Sequence, residues 1–181
     1  MLKLSQRQRG VSIIELVIGL TILSILMLQG LPAFAAWVQN SQIRTAAESI
    51  QNGLQIARME AVRRNANVQF VMGSASDWTV ALVSNPLSPV ESRPVEGSTN
   101  TVITLSPAGG SKVTFNGFGR VVANDDGTPP LTEMKADSAT TAGSRFMCVT
   151  LTSAGATRMC DPQRAAGDPQ ACMAPVPAGC L

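Results

Sequence analysis

The chain has 181 residues, 45% hydrophobic and 14% charged, with a formal net charge of +2 and neither His nor Tyr. That length suits one domain plus an extra element, and the lack of His removes the usual general base and the usual companion of Cys in a zinc site. The positive balance is no nucleic-acid footprint: Lys3, Arg7 and Arg9 carry it, while the part from Asn65 onward holds nine acids against seven bases.

The first element is RQRGVSIIELVIGLTILSILMLQG. Basic residues lead to Gly10, and an apolar run follows with one carboxylate, Glu15, near its start. Residues 16–43 carry no charged side chain, and about 20 apolar residues are enough to span a bilayer as a helix. The bases lie before the run, so the positive-inside rule places the N-terminus in the cytoplasm and the remainder outside it.

Three readings compete for this segment. Ala33-Phe34-Ala35 fits the cleavage pattern of a secretory signal, although the apolar run exceeds the roughly 7 to 15 residues of a signal core. A plain membrane anchor leaves Glu15 as an expense of roughly 2.5 to 3.5 kcal/mol at a helix centre, less near an end. Cleavage between Gly10 and Val11 makes use of the charge. It creates an α-amino group four residues before Glu15, and neighbouring chains in slight stagger can then neutralise each other.

Residues 41–64 read SQIRTAAESIQNGLQIARMEAVRR. Ile43, Ala46, Ala47, Ile50, Leu54, Ala57 and Ala61 share one helical face. The apolar helix therefore continues as an amphipathic half that packs on a following domain. Pro32 removes a backbone donor and should kink or loosen it, and Asn65-Ala66-Asn67 is the expected stop.

Short strands are expected next, over 68–72, 78–83, 101–105, 112–115, 121–122, 145–151 and 157–159. Residues 85–100, with three prolines, and the polar stretch 124–141 read as loops. The hairpin around Ser153-Ala154-Gly155 sets Cys148 and Cys160 equidistant from its centre, at antiparallel separations within disulfide reach. Cys148–Cys160 is thus the expected bridge, with Cys172–Cys180 by elimination, among three connectivities open to four cysteines. Clustering after an N-terminal targeting segment suits an oxidising compartment.

Gly10-Val11-Ser12-Ile13-Ile14-Glu15 resembles the prepilin peptidase site of type IV pilins and type II secretion pseudopilins. That family has Gly before the cut, Glu four residues after the first residue of the mature chain, and many members carry a proline at the position of Pro32. Val11 stands where Phe or Met is more usual. The β-rich remainder, internal Gly119-Arg120 and late Cys-Asp-Pro narrow the resemblance to the GspH/FimT group of minor pilins and pseudopilins. It implies an α+β type IV pilin fold: a long N-terminal α-helix packed on an antiparallel β-sheet head. The implied divisions are a leader over 1–10, a transmembrane and filament-core helix over 11–40, its amphipathic half over 41–66, and a periplasmic head over 67–181. It also implies cleavage at Gly10, N-methylation at Val11, assembly roles for Glu15 and Pro32, and partners among other pilins, prepilin peptidase and the inner membrane.

No catalytic chemistry is expected. Ser and Cys lack a base at suggestive spacing, no phosphate-binding loop occurs, and Asp125-Asp126 lacks the further ligands of a calcium loop, so neither cofactor nor metal is expected. Some competence-linked relatives bind DNA through a Gly-Arg-x-Arg. Here the stretch is Gly155-Ala156-Thr157-Arg158, with Ala156 in place of the first arginine. Arg158, with Arg145 and Arg164 as helpers, is the only candidate DNA contact, and its plainer reading is a solvated strand residue or a partner of Asp161. The expectation is a structural subunit that initiates or tips a pilus, with the H-type pseudopilin as the alternative.

Overall fold

The computed structural model describes residues 10–94, 100–139 and 145–180. Residues 1–9 of the expected leader, with Lys3, Arg7 and Arg9, lie outside them, as do residues 95–99 and 140–141 of the two expected loops. The chain divides into two compact units, Met1–Trp37 and Val38–Leu181.

Helix α1 covers Ile13–Arg64 and includes Pro32 without a break in the helical assignment. In the first unit every described residue is exposed, and the helix contains a window apolar enough to cross a membrane. Its C-terminus closes as the Asn65 stop predicts. Asn65 takes a left-handed φ of 47°, its N–H donates to the Val62 carbonyl, and that of Ala66 donates to Ala61, the paired bonds of a Schellman cap.

In the second unit two antiparallel sheets cover the amphipathic half of α1. The first has five strands in the order β3-β2-β1-β5-β6: Asn85–Arg93, Trp78–Leu82, Val68–Met72, Lys112–Phe115 and Val121–Val122. The second has four, β4-β7-β8-β9: Thr101–Ser106, Glu133–Ser138, Met147–Leu151 and Thr157–Cys160. The seven apolar face residues read from the sequence, from Ile43 to Ala61, are all buried. All but Ala46 join Phe70, Val80, Phe115, Met134 and Val149 in one core, and each large side chain buried there stabilises by about 1.5 to 3 kcal/mol.

Two close approaches hold the helix on the first sheet. The Trp78 indole donates to the Ser49 hydroxyl at 2.9 Å. Gly53 lies under the rings of Phe70 and Trp78, where an added Cβ would meet ring carbons at 2.7 and 2.8 Å.

The loops expected over 85–100 and 124–141 each contain a strand. β3 tolerates Pro86 and Pro89 because it is an edge strand, with register shifts opposite Ala81. β7 lies between β4 and β8. It buries Met134 and Ala136 and leaves Glu133, Lys135 and Asp137 partly exposed, a period-2 alternation masked by its polar composition.

Candidate functional site

The first candidate region is the N-terminal end of α1. Gly10, Val11 and Ser12 precede the helix and are exposed. The Leu16 N–H donates to the Ser12 carbonyl at 3.1 Å, which makes Ser12 the N-cap and Glu15 the third helical residue. Ser-x-x-Glu is the capping-box pattern, and a carboxylate in the first turn is favoured by the helix dipole. This Ser-x-x-Glu pattern was readable in the sequence but hidden by the apolar run around it. The rival cleavage site, Ala33-Phe34-Ala35, lies within α1, helical at every residue.

Beyond Glu15 the helix presents apolar side chains all round. Ile18, Leu20, Ile22, Ile25 and Leu26 are each more than half exposed. Two of its hydroxyls are satisfied internally: Thr21 donates to the Ile18 carbonyl and Ser24 to that of Leu20, both at 2.8 Å. Such a surface suits lipid or other apolar helices.

The second region holds the cysteines and the candidate arginines. Cys148 and Cys160 face each other across β8 and β9 as expected, but they are not bonded to each other. The bridges are Cys148–Cys180 and Cys160–Cys172, with Cα separations of 5.7 and 4.8 Å, which corrects the expected Cys148–Cys160 and Cys172–Cys180. The return path of the tail is the reason. The Asp161 N–H donates to the Gln170 carbonyl and Asp161 forms a bridge with Ala171, which brings Cys172 to Cys160. The Gly179 N–H donates to the Glu133 carboxylate at 2.6 Å, which brings Cys180 to Cys148. Hairpin symmetry places the first two cysteines; only these longer-range bonds decide the pairing.

All three arginines are engaged within this clamp. Asp161, its side chain 4% exposed, lies 3.5 Å from Arg145 Nε and 3.6 Å from Arg164 Nε. Arg164 also bonds Asp168 at 2.8 Å, and that contact, after the Gln170 amide, holds the Asp168 carboxyl below its usual range. Arg158 does not pair with Asp161; it donates to the Ala171 carbonyl at 3.4 Å. The three cations therefore secure the tail rather than form a free basic patch, which gives the DNA reading no support.

Asp125-Asp126 has a partner as well. Lys112 Nζ pairs with both carboxylates, at 3.0 Å for Asp126. The Thr128 hydroxyl and amide, then Lys112, hold Asp126 down at about 2. Among the described residues no three His, Cys, Asp or Glu side chains gather as metal ligands would.

Where both sheets reach the helix, two turns interlock. The Arg58 guanidinium donates to the Gly119 carbonyl at 3.1 Å, and the Val121 N–H donates to the Ser153 carbonyl. A Cβ on Gly155 would collide with the Gly119 carbonyl oxygen. This junction lies at the end of the region that matches a family model: the Type II transport protein GspH family covers residues 46–155.

The chain belongs to the GspH family. A second model, the prokaryotic N-terminal methylation motif, matches residues 5–28 of this GspH-family protein. Its fold is that of a type IV pilin. It is similar to the type IV minor pilin FimU of Pseudomonas aeruginosa PAO1 in two crystal forms. The first aligns with TM-score 0.56 and 17% identity over 70% of this chain and 97% of that one. The second has TM-score 0.51 and 18% identity over 66% and 97%. No curated protein sequence matches significantly. Pilins and pseudopilins are structural subunits, so the GspH-family protein is read as a component of an assembly.

Proposed function

We propose that this GspH-family protein is a minor pilin that helps initiate a type IV pilus or sits at its tip. Prepilin peptidase cuts between Gly10 and Val11, and the new amino group is methylated at Val11. The chain is held in the inner membrane by one pass, with its N-terminus cytoplasmic and its head periplasmic, until it joins other pilins. In the filament Glu15 neutralises the amino terminus of a neighbouring subunit, and Pro32 loosens the helix that packs there. The observation that carries this reading is the exposed apolar surface of α1 up to Trp37 behind an N-terminal methylation motif. That surface has no partner within the first unit, and in a filament it finds one.

The description of the matched family favours a second reading, the H-type pseudopilin of type II secretion. Deletion separates the two: loss of pili and twitching supports the first, loss of exported enzymes the second.

The decisive experiment is the mass and N-terminal sequence of the mature chain from membranes. A start at Val11 is expected; a start at Ala36 with a freely soluble product would overturn the proposal. Glu15→Ala is expected to be cut normally but to enter filaments poorly. Normal incorporation would end the charge-pairing argument.

A further inference from the structure

We infer that Phe34 and Trp37 form an interfacial anchor that sets the depth of the apolar helix in the bilayer, with Glu15 in the opposite headgroup layer. The inference rests on the membrane-spanning reading above and adds to it a specific contact with lipid.

Phe34 and Trp37 are three residues apart, so they share a helical face. Their rings lie 5.9 Å apart at a tilt of 33°. Neither is used in packing: they are 62% and 66% exposed. A paired Phe and Trp left open to the surroundings match the amphipathic layer between headgroups and acyl chains, where the ring body meets apolar chains and the indole N–H meets water.

Spacing supports the same placement. Trp37 lies 22 residues after Glu15, roughly 33 Å along a helix. A tilt of about 20° reduces this to roughly 31 Å, against about 30 Å for the hydrocarbon layer. Between them stand apolar residues, the self-satisfied Thr21 and Ser24, and the uncharged Gln29. The exposed apolar surface also ends here: Val38 is half-buried and Gln39 is buried. With Trp37 at one boundary, Glu15 reaches the other and need not sit in hydrocarbon before assembly.

The chain has two tryptophans, and the other, Trp78, is 2% exposed and bonded to Ser49. Emission quenched by lipid thus reports Trp37. The full chain is reconstituted in phosphatidylcholine vesicles brominated either near the headgroup end or near the terminal end of the acyl chain. Flotation with the vesicles reports insertion; quenching reports depth. The expected result is flotation, strongest quenching by the shallow bromines, and loss of all lipid-quenchable emission in Trp37→Phe, which still floats. A floating protein quenched equally or more by the deep bromines, or not at all, overturns the anchor and leaves the span intact. So does quenching that persists in Trp37→Phe. Failure to float removes the span, and the anchor with it.

Discussion

At the scale of single residues, the head is sensitive where side chains leave no room. Gly53→Ala improves helix propensity by about 1 kcal/mol, yet its methyl group would meet the Phe70 and Trp78 rings below 3 Å. Overpacking of this kind costs about 1 to 3 kcal/mol, so a net loss of stability is expected in denaturant unfolding of the mature protein. An unchanged or raised midpoint would show that the rings can move aside. Asp126 makes a different prediction. Its folded value, about 2, lies below its unbound 3.8, so it stabilises fully above pH 4 and loses that contribution as pH falls toward 2. Asp126→Asn should flatten the stability decline between about pH 4 and 2, followed by Trp78 emission in a Trp37→Phe background. Glu60, lowered by hydrogen bonds from Arg63 and then Arg64, and Asp168 retain their share of the slope.

At the scale of elements, the helix was legible because its signal repeats over many turns. The seven face residues from Ile43 to Ala61 and the Asn65 stop needed no tertiary knowledge. β3 and β7 were not legible. The prolines of β3 are excluded from central strands but permitted at an edge, and sequence does not say which strand is at an edge. β7 alternates properly, but Met134 and Ala136 are weak strand formers beside three charges. The cysteine register was legible from hairpin symmetry and the bridges were not, since backbone bonds from Asp161 and Gly179 decide them. Peptide mapping without reduction should recover 148–180 and 160–172. The separations are 32 and 12 residues. Chain entropy alone gives about 3.7 kcal/mol for the longer loop and about 2.8 for the shorter. Cys180→Ser should therefore destabilise more than Cys172→Ser, as read from thermal unfolding. Asp161→Ala should loosen the same tail with both bridges intact, by about 1 to 3 kcal/mol, detected as faster proteolysis after residue 161.

At the scale of the whole molecule, the matched GspH region ends at residue 155, and the clamp built by Asp161 and the last two cysteines lies beyond it. The core of the head lies mostly within that region, and its closure comes from the tail that follows. The cross-strand register of Cys148 and Cys160 has a consequence for how the protein matures. A chain held by an N-terminal membrane helix emerges from N to C, so its thiols reach an oxidising compartment in the order 148, 160, 172, 180. When Cys160 arrives it stands opposite Cys148, and both native partners are still inside. The first bridge within reach is therefore a wrong one, and a thiol exchange must replace it: once residue 172 has crossed, its thiolate attacks Cys160, forms the native 160–172 bridge and releases the Cys148 thiol, which is then oxidised with Cys180. Export of this subunit should thus depend on a disulfide-shuffling catalyst as well as an oxidant. In cells without one, the trapped 148–160 form should accumulate.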